Sequence, residues 1–117
     1  MEMTAEPMGN ATLITVNAER IDAASAIRFK DRMRELTDGG EGRVVLDMAQ
    51  VDFIDSSGLG AIVSAMKLLG PDRRLELAGL TSKVMKVFRL TRMDGVFTLH
   101  GDVEAARASG ASEIGRA

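Results

Sequence analysis

The sequence predicts a layered α/β domain, in which about four helices cover a mixed sheet of four to five strands. Two observations favour this class. Short runs of β-branched and aliphatic residues alternate along the chain with segments in which apolar side chains recur every three or four positions. The connections between these segments are only a few residues long, as they are in β-α-β units. Because 117 residues suffice for one core and leave no room for a second, we expect residues 1–117 to form a single domain.

The first three predicted elements are an edge strand, a second strand and a helix. Residues 1–10 are interpreted as a weak edge strand, because Pro7 cannot donate a hydrogen bond to a neighbouring strand. Residues 11–17 (ATLITVN) are β-branched and roughly alternate between apolar and polar, which is typical of a strand. A helix is predicted to begin at Asp22, whose carboxylate can cap it, and to stop at the Gly-Gly pair at 39–40.

The middle of the chain predicts a central strand followed by the strongest helix. Residues 44–46 (VVL) are apolar without alternation, which favours a strand that is covered on both faces. Residues 51–54 continue the chain from this strand toward a turn. Residues 59–69 then place apolar side chains at helical spacing, and the Gly-Pro pair at 70–71 ends this helix. We therefore expect a strand, a turn and a helix in direct succession at the centre of the fold.

The last third of the chain predicts two further strands and two short helices. Residues 75–78 are expected to form a strand, and residues 81–90 a short helix with its apolar residues on the inner face. Residues 96–99 are expected to close the sheet. Residues 102–108 predict a final short helix that is capped by its first residue, an aspartate. Residues 109–117 are small and contain glycine, so we expect a flexible tail.

Composition and charge argue against several classes of function. The net charge is −2 and acidic and basic residues are mixed along the chain, so the basic patch of a nucleic-acid-binding protein is absent. There is no cysteine and His100 is the only histidine, so neither a metal site nor a Ser-His-Asp triad is expected. No apolar stretch approaches the roughly 20 residues that span a bilayer, and residues 1–10 lack the features of a secretory signal. We therefore expect a cytoplasmic protein that does not insert into membranes, binds no cofactor and has no catalytic residues of its own.

A polar turn stands directly before the strong helix, where Asp55, Ser56 and Ser57 are followed by Gly58 and Gly60. The glycines keep bulky side chains away from the turn, so we expect its serines to be reachable from outside. The start of a helix presents unpaired N–H groups and the positive end of the helix dipole, which together stabilise an added phosphate by about 0.3–1 kcal/mol. The turn therefore has the properties of a serine phosphorylation site that the fold tolerates.

Three other interpretations of this turn remain open. An aspartate or serine before a helix is also an ordinary helix cap, and glycine after it also permits close packing. A dinucleotide-binding loop is disfavoured, because Val63 stands where the third glycine would be. A serine nucleophile is disfavoured as well. Ile54 stands two residues before Ser56, where a nucleophile elbow has glycine, and His100 lies in a distant segment.

Residues 44–70 (VVLDMAQVDFIDSSGLGAIVSAMKLLG) closely resemble the signature of the STAS domain family of anti-sigma factor antagonists. That signature consists of a strand, an Asp-Ser-Ser/Thr-Gly-Leu-Gly turn and a helix. A weaker resemblance extends to residues 20–24 and 80–88, so it covers nearly the whole chain. The family often has glycine where this chain has Ala18. The fold that the resemblance implies is a STAS-like layered α/β domain.

The resemblance implies a phosphorylation switch. In the family a serine kinase, which is also the anti-sigma factor, phosphorylates the first serine after the aspartate, and this serine matches Ser56. The unphosphorylated antagonist binds the kinase and frees the sigma factor, whereas the phosphorylated antagonist lets go until a separate phosphatase restores it. ATP and Mg²⁺ belong to the partner kinase in this scheme. The residues expected to shape the turn around the phosphorylated serine are Asp22, Asp55, Ser57, Gly58 and Gly60.

A docking surface and an alternative function complete the hypothesis. The helix over 57–69 is expected to carry the partner surface, and outward residues of the next helix extend it, although a solvated face explains those residues equally well. The predicted docking residues are Leu59, Lys83, Met85, Lys86 and Arg89. The alternative function is a STAS-type subunit of a transporter or of a stress-sensing complex, which would dock without a kinase cycle.

Overall fold

A computed structural model of the protein describes the backbone of residues 1–116 and the side chains of residues 1–110. Within that range it contains a mixed five-stranded sheet, a pair of two-residue strands and four helices, so the predicted α/β class is confirmed. The strands are β1 (Met3–Met8), β2 (Ala11–Val16), β3 (Arg20–Ile21), β4 (Arg43–Asp47), β5 (Phe53–Ile54), β6 (Leu75–Ala78) and β7 (Thr98–His100). The helices are α1 (Ala26–Thr37), α2 (Ser56–Leu69), α3 (Ser82–Leu90) and α4 (Val103–Arg116).

The large sheet has the strand order β1-β2-β4-β6-β7. β1 runs antiparallel to β2, whereas β2, β4, β6 and β7 are parallel to one another. β4 occupies the centre, and its first four residues are buried, as the unbroken apolar run predicts. β1 pairs with β2 along its whole length at the edge of the sheet, where one side of a strand has no ladder to join and Pro7 is tolerated.

Alternation along the central strand divides the interior into two clusters. Val44 and Leu46 lie in the larger cluster, together with apolar residues of α1, α2 and α3. Val45 lies in a smaller cluster on the opposite face, beneath α4. The larger cluster contains the fully buried rings of Phe29 and Phe88, so most of the hydrophobic stabilisation comes from that face of the sheet. α2 is anchored to this main core by its inner side, which leaves its outer side exposed.

Two short strands that the sequence did not reveal form a separate parallel pair. Arg20 pairs with Phe53, and Ile21 pairs with Ile54. Residues 51–54, which the sequence predicts only to continue toward a turn, contain β5 and so contribute to this second sheet. Because β3 and β5 are parallel, the turns that follow them leave the pair at the same edge and lie side by side.

The prediction that Asp22 caps the first helix is wrong, because α1 begins at Ala26. Asp22 Oδ1 accepts hydrogen bonds from the backbone N–H and the hydroxyl of Ser25, at 3.2 and 3.1 Å. An aspartate that bonds to the chain a few residues on closes a local turn, and this turn competes with helix formation. Asp22 therefore shapes the loop between β3 and α1.

The last strand begins later than predicted. Met93–Gly95 form a 3₁₀ turn, and the N–H of Val96 bonds to the carbonyl of Met93 at 3.0 Å. The chain re-enters the sheet only after this turn, so β7 starts at Thr98 instead of at residue 96. The turn also packs Met93 against the main core beside α3.

The last helix is longer than predicted. The residue before it, Asp102, caps it as expected, because Oδ1 accepts a hydrogen bond from the N–H of Ala105 at 2.8 Å. α4 then continues past residue 108 to Arg116, through a segment whose serines and glycines are weak helix formers. The segment 109–117, for which the sequence predicts a flexible tail, is therefore helical as far as Arg116, and residue 117 lies outside the described residues.

Candidate functional site

The turn before α2 is held by the side chain of Asp55. Asp55 occupies the cap position with extended backbone, and its Oδ1 accepts a hydrogen bond from the N–H of Gly58 at 2.8 Å. Its carbonyl accepts the N–H of Leu59 at 2.9 Å, which starts the helical bonding pattern. Asp55 is thus an N-cap in the usual sense, and it makes Ser56 the first residue of the helix.

Asp55 also connects two turns that are distant in sequence. Its second oxygen, Oδ2, accepts a hydrogen bond from the N–H of Ala23 at 3.0 Å. Ala23 lies in the turn after β3, which the parallel pairing of β3 and β5 brings alongside the turn after β5. Both carboxylate oxygens are therefore occupied by backbone N–H groups. This arrangement fixes the position of α2 relative to the loop that contains Asp22.

Asp22 lies beside this junction and carries a stable negative charge. A hydrogen bond from Arg20 Nε to Asp22 Oδ2, at 3.0 Å, holds the pKa of Asp22 below its usual value, and the bonds from Ser25 act in the same direction. The guanidinium of Arg20 also stacks over the ring of Phe53, with 4.1 Å to the ring centroid. Arg20 therefore fastens the short β3–β5 pair to the Asp22 turn.

Ser56 and Ser57 are both exposed at the start of α2. Neither hydroxyl makes a hydrogen bond to any of the residues whose side chains are described. The two serines project from the first turn of a helix, where backbone N–H groups favour an anion. Their exposure agrees with the expectation that they are reachable, and the arrangement is suited to receiving a phosphoryl group.

The two glycines of the turn have different roles. A Cβ at Gly58 would lie within 1.9 Å of the carbonyl oxygen of Ile21, so the buried Gly58 allows α2 to pack directly on β3. A Cβ at Gly60 would meet nothing within 4 Å. The expectation that both glycines keep the turn approachable from outside therefore applies to Gly60, which is exposed, whereas Gly58 serves internal packing.

A groove of about 600 Å³ runs between α2 and the α3 region, and Ser56 lies on its wall. Its walls are formed largely by apolar side chains, with Asp55, two serines, Thr91 and Lys67 among them. Leu59, which the sequence assigns to the docking surface, lies in this groove but is only 9 % exposed, so it belongs mainly to the core. The other apolar residues on the groove walls are Ile54, Val63, Val87 and Met93.

The predicted docking residues of α3 lie outside that groove. Lys83, Lys86 and Arg89 are exposed and Met85 is half-buried, but none of the four is part of the groove walls. Lys83 Nζ pairs with Asp52 Oδ2 at 3.2 Å on the surface. Sequence reasoning missed the contribution of Met93 to the groove, because the 3₁₀ turn that places it there left no periodic signal.

A second polar cluster, which sequence reasoning missed, lies on the opposite face of the sheet beneath α4. Arg43 donates to both carboxylate oxygens of Glu76, with Nε–Oε2 at 3.0 Å and Nη2–Oε1 at 2.7 Å. The same guanidinium bonds to the carbonyl of Ala106 in α4 at 3.0 Å. His100 Nε2 lies 2.7 Å from Glu76 Oε1, and Arg74 Nη2 lies 3.3 Å from Oε2.

Glu76 remains ionised in this cluster although it is only 1 % exposed. Burial by itself would raise its pKa, but the hydrogen bonds from Arg43 and His100 outweigh burial and hold the pKa of Glu76 below its usual value. His100 is thus engaged with Glu76 beneath α4 and does not approach the serines of α2. Among the described residues there is no group of three or more acidic, histidine or cysteine side chains that could hold a metal ion.

Fold and site together define a small α/β domain with an exposed serine turn at a helix start. The STAS domain family model matches residues 2–106, so the chain belongs to the STAS domain family. None of the helices within residues 1–116 is long and apolar enough to span a membrane.

One sequence relative and two solved structures are similar to this chain along most of its length. The anti-sigma-B factor antagonist of Listeria monocytogenes is 32% identical over 84 residues, which cover 70% of this chain and 73% of that protein. The structure of an anti-sigma-factor antagonist (STAS) domain protein from Planctomyces limnophilus has a TM-score of 0.84 at 18% identity, covering 93% of this chain and 97% of that one. The structure of a sulfate transporter family protein from Wolinella succinogenes has a TM-score of 0.76 at 14% identity, covering 91% of this chain and 88% of that one. The fold is therefore shared by proteins of more than one function.

Proposed function

We propose that this protein is an anti-sigma factor antagonist that is switched by phosphorylation of Ser56. In its unphosphorylated state it binds an anti-sigma factor that is also a serine kinase, and the sigma factor is released. The observation that carries the proposal is the hydroxyl of Ser56 at the first position of α2, which is exposed, makes no hydrogen bond to the residues whose side chains are described, and lies on the wall of a largely apolar groove. The name of the Listeria monocytogenes relative supports the same role.

The geometry favours Ser56 over Ser57 as the modified residue. Ser56 lies on the groove between α2 and the α3 region, whereas Ser57 does not. A phosphate on Ser56 would place about −1.5 to −2 charges beside largely apolar walls, so a partner side chain seated there would face a desolvation cost. Each loss of about 1.4 kcal/mol in binding free energy weakens the affinity tenfold, so two or three times that loss is enough to separate the partners.

The fold itself should tolerate the phosphate. Ser56 is exposed, and within residues 1–110 its hydroxyl makes no hydrogen bond that the modification would break. The neighbouring carboxylate of Asp55 is held in place by hydrogen bonds from two backbone N–H groups, those of Gly58 and Ala23. The effect of phosphorylation is therefore expected at the partner surface and not in the core.

In this proposal the chain acts by binding and has no reaction of its own. ATP and Mg²⁺ are supplied by the partner kinase, and a separate phosphatase reverses the modification. The exposed cations of α3 extend the docking surface beyond the groove, and the protein works in the cytoplasm. The α3 cations that we assign to this extension are Lys83, Lys86 and Arg89.

Phosphorylation is tested by incubating the protein with the cognate kinase, ATP and Mg²⁺ and locating the phosphate by mass spectrometry. We expect one phosphate on Ser56 in the wild type and in Ser57→Ala, and none in Ser56→Ala. The Ser57→Ala variant is the matched control, because it removes the adjacent exposed hydroxyl. Phosphate on Ser57 alone, or on neither serine, would contradict the proposal.

Partner binding is tested separately with Ser56→Asp and Ser56→Ala. We expect the aspartate variant to bind the kinase at least about tenfold more weakly than the alanine variant, because it leaves a charge at the groove. Affinity purification identifies the partner. Recovery of a membrane transport complex in place of a kinase would favour the alternative that the fold of the Wolinella succinogenes protein suggests.

A further inference from the structure

The seam between α1 and α2 carries a second groove, of about 270 Å³, which adjoins the first groove along α2 and shares Ser64 and Lys67 with it. Its walls, as far as the side chains are described, combine three basic residues with no carboxylate, although the whole chain has a net charge of −2. The seam is therefore a local excess of positive charge on an acidic protein. Its walls are formed by Lys30, Arg34, Ser64, Ala65, Lys67 and Leu68.

The positive charge of the seam is poorly compensated within the domain. Lys30 and Lys67 make no ion pair and no side-chain hydrogen bond with any residue of the part of the chain whose side chains are described. Arg34 pairs with Asp31 at 3.6 Å, but their side chains are 66% and 56% exposed. Exposed pairs of this kind contribute little, because water screens them. The seam can therefore attract a negatively charged partner.

Large aliphatic side chains are exposed at both ends of this basic strip. Leu68 is 45% exposed at one end. Ile27 is 70% exposed and lies one helical turn before Lys30 on the same flank of α1. The domain itself gains nothing by exposing these side chains, and such residues beside a charged strip are suited to contacts with apolar groups of a partner.

We infer that the α1–α2 seam is a docking surface for an acidic peptide segment of a partner protein. Carboxylates of the segment face Lys30, Arg34 and Lys67, and its apolar side chains cover Ile27 and Leu68. Charge complementarity together with the aliphatic ends selects a peptide over a nucleic acid, since none of the described residues on the walls of the seam is aromatic and able to stack with bases. This surface goes beyond the proposed switch and does not depend on phosphorylation of Ser56.

The test uses a fluorescein-labelled synthetic peptide of about 16 residues, with glutamates and leucines at helical spacing, and a matched peptide with glutamine in place of every glutamate. We expect the glutamate peptide to bind, to bind more weakly as salt rises, and to shift NMR resonances of α1 and α2. The double variant Lys30→Glu with Lys67→Glu should weaken binding by about tenfold. Arg107→Glu, a charge reversal on α4, is the control and should leave the affinity unchanged.

Several outcomes would overturn the inference. These are no binding of the glutamate peptide at millimolar concentration, equal binding of the glutamine peptide, equal loss in Arg107→Glu, or resonance shifts confined to other elements. Stronger binding of phosphatidylglycerol vesicles at the same residues would reassign the surface to a membrane.

Two further variants separate the possible causes of a loss of binding. Lys30 is half-buried, so Lys30→Gln with Lys67→Gln serves as a gentler second pair, for which we expect a smaller loss in the same direction. Unchanged affinity in this pair would count against the inference. Ser56→Ala should bind the peptide normally, so a failed kinase assay and a failed peptide assay are distinguishable.

Discussion

The two polar clusters of this domain differ in whether their polar groups satisfy one another. Beneath α4, the buried charges of Arg43 and Glu76 bond to each other, to His100 and to the carbonyl of Ala106. At the start of α2, by contrast, the hydroxyl of Ser56 is exposed and has no partner among the described residues. The first cluster joins α4 to the sheet and is complete within the chain. The second presents exposed serine hydroxyls that are open to another molecule, so exposure and not polarity distinguishes the candidate functional site.

The largest effect is expected from Glu76→Ala, which would break the buried cluster. The change leaves the charge of Arg43 buried without its carboxylate, so the free energy of unfolding should fall by about 3–5 kcal/mol. Urea unfolding followed by circular dichroism measures this loss. The matched control is Arg43→Met combined with Glu76→Leu, which removes both charges and should recover most of the stability. A double variant as unstable as Glu76→Ala would show that the cluster is not a self-contained ion pair.

The next largest effect is expected at the functional turn, where Gly58→Ala should destabilise the domain by about 2–4 kcal/mol, because the added Cβ meets the backbone of Ile21. Gly60→Ala, two residues away, should leave the stability unchanged or raise it by up to about 1 kcal/mol, since alanine is the better helix former. Thermal unfolding of the two variants compares them directly. If both variants were destabilised equally, the close packing of α2 on β3 would not explain why position 58 is glycine.

A smaller loss, of about 1–2 kcal/mol, is expected for Asp55→Ala, because it removes the helix cap and the link to the turn after β3. Asp55→Asn keeps one oxygen acceptor and should lose about half as much. Both free energies come from urea unfolding. If the alanine variant were as stable as the wild type, the aspartate would be needed for binding alone, and the turn would contribute nothing to the fold.

The smallest effect on stability is expected from lowering the pH. The pKa of Glu76 is lowered in the folded state, so its stabilising contribution is complete above the pKa of an unfolded-chain glutamate and is lost as pH falls through the lower, folded value. Wild-type stability should therefore decrease with pH from roughly pH 5 downward. The Arg43→Met with Glu76→Leu variant should show a weaker decrease. If the stability of the two proteins depended on pH in the same way, Glu76 would not contribute to the loss of stability in acid.

Much of the fold could be predicted because its signals are local. The apolar run of β4 and the helical spacing in α2 each lie within about a dozen residues, and both elements form where the pattern indicates. The helix start at Ser56 follows from one side chain, Asp55, and a bond to Gly58 three residues on. Asp22 shows the limit of such reasoning, since an aspartate before a helix can cap it or close a preceding turn with Ser25.

By itself the sequence determined the order of the four helices and of the strands of the large sheet, the central position of β4 and the placement of Ser56 at the head of α2, because periodicity and capping depend on near neighbours. Only the tertiary structure decided that Gly58 packs on Ile21 while Gly60 remains exposed, and that Arg43, Glu76 and His100 meet beneath α4. These outcomes depend on contacts between residues that are dozens of positions apart. Whether a polar group is buried, and what satisfies it there, is set by which element covers it, and no local pattern carries that information.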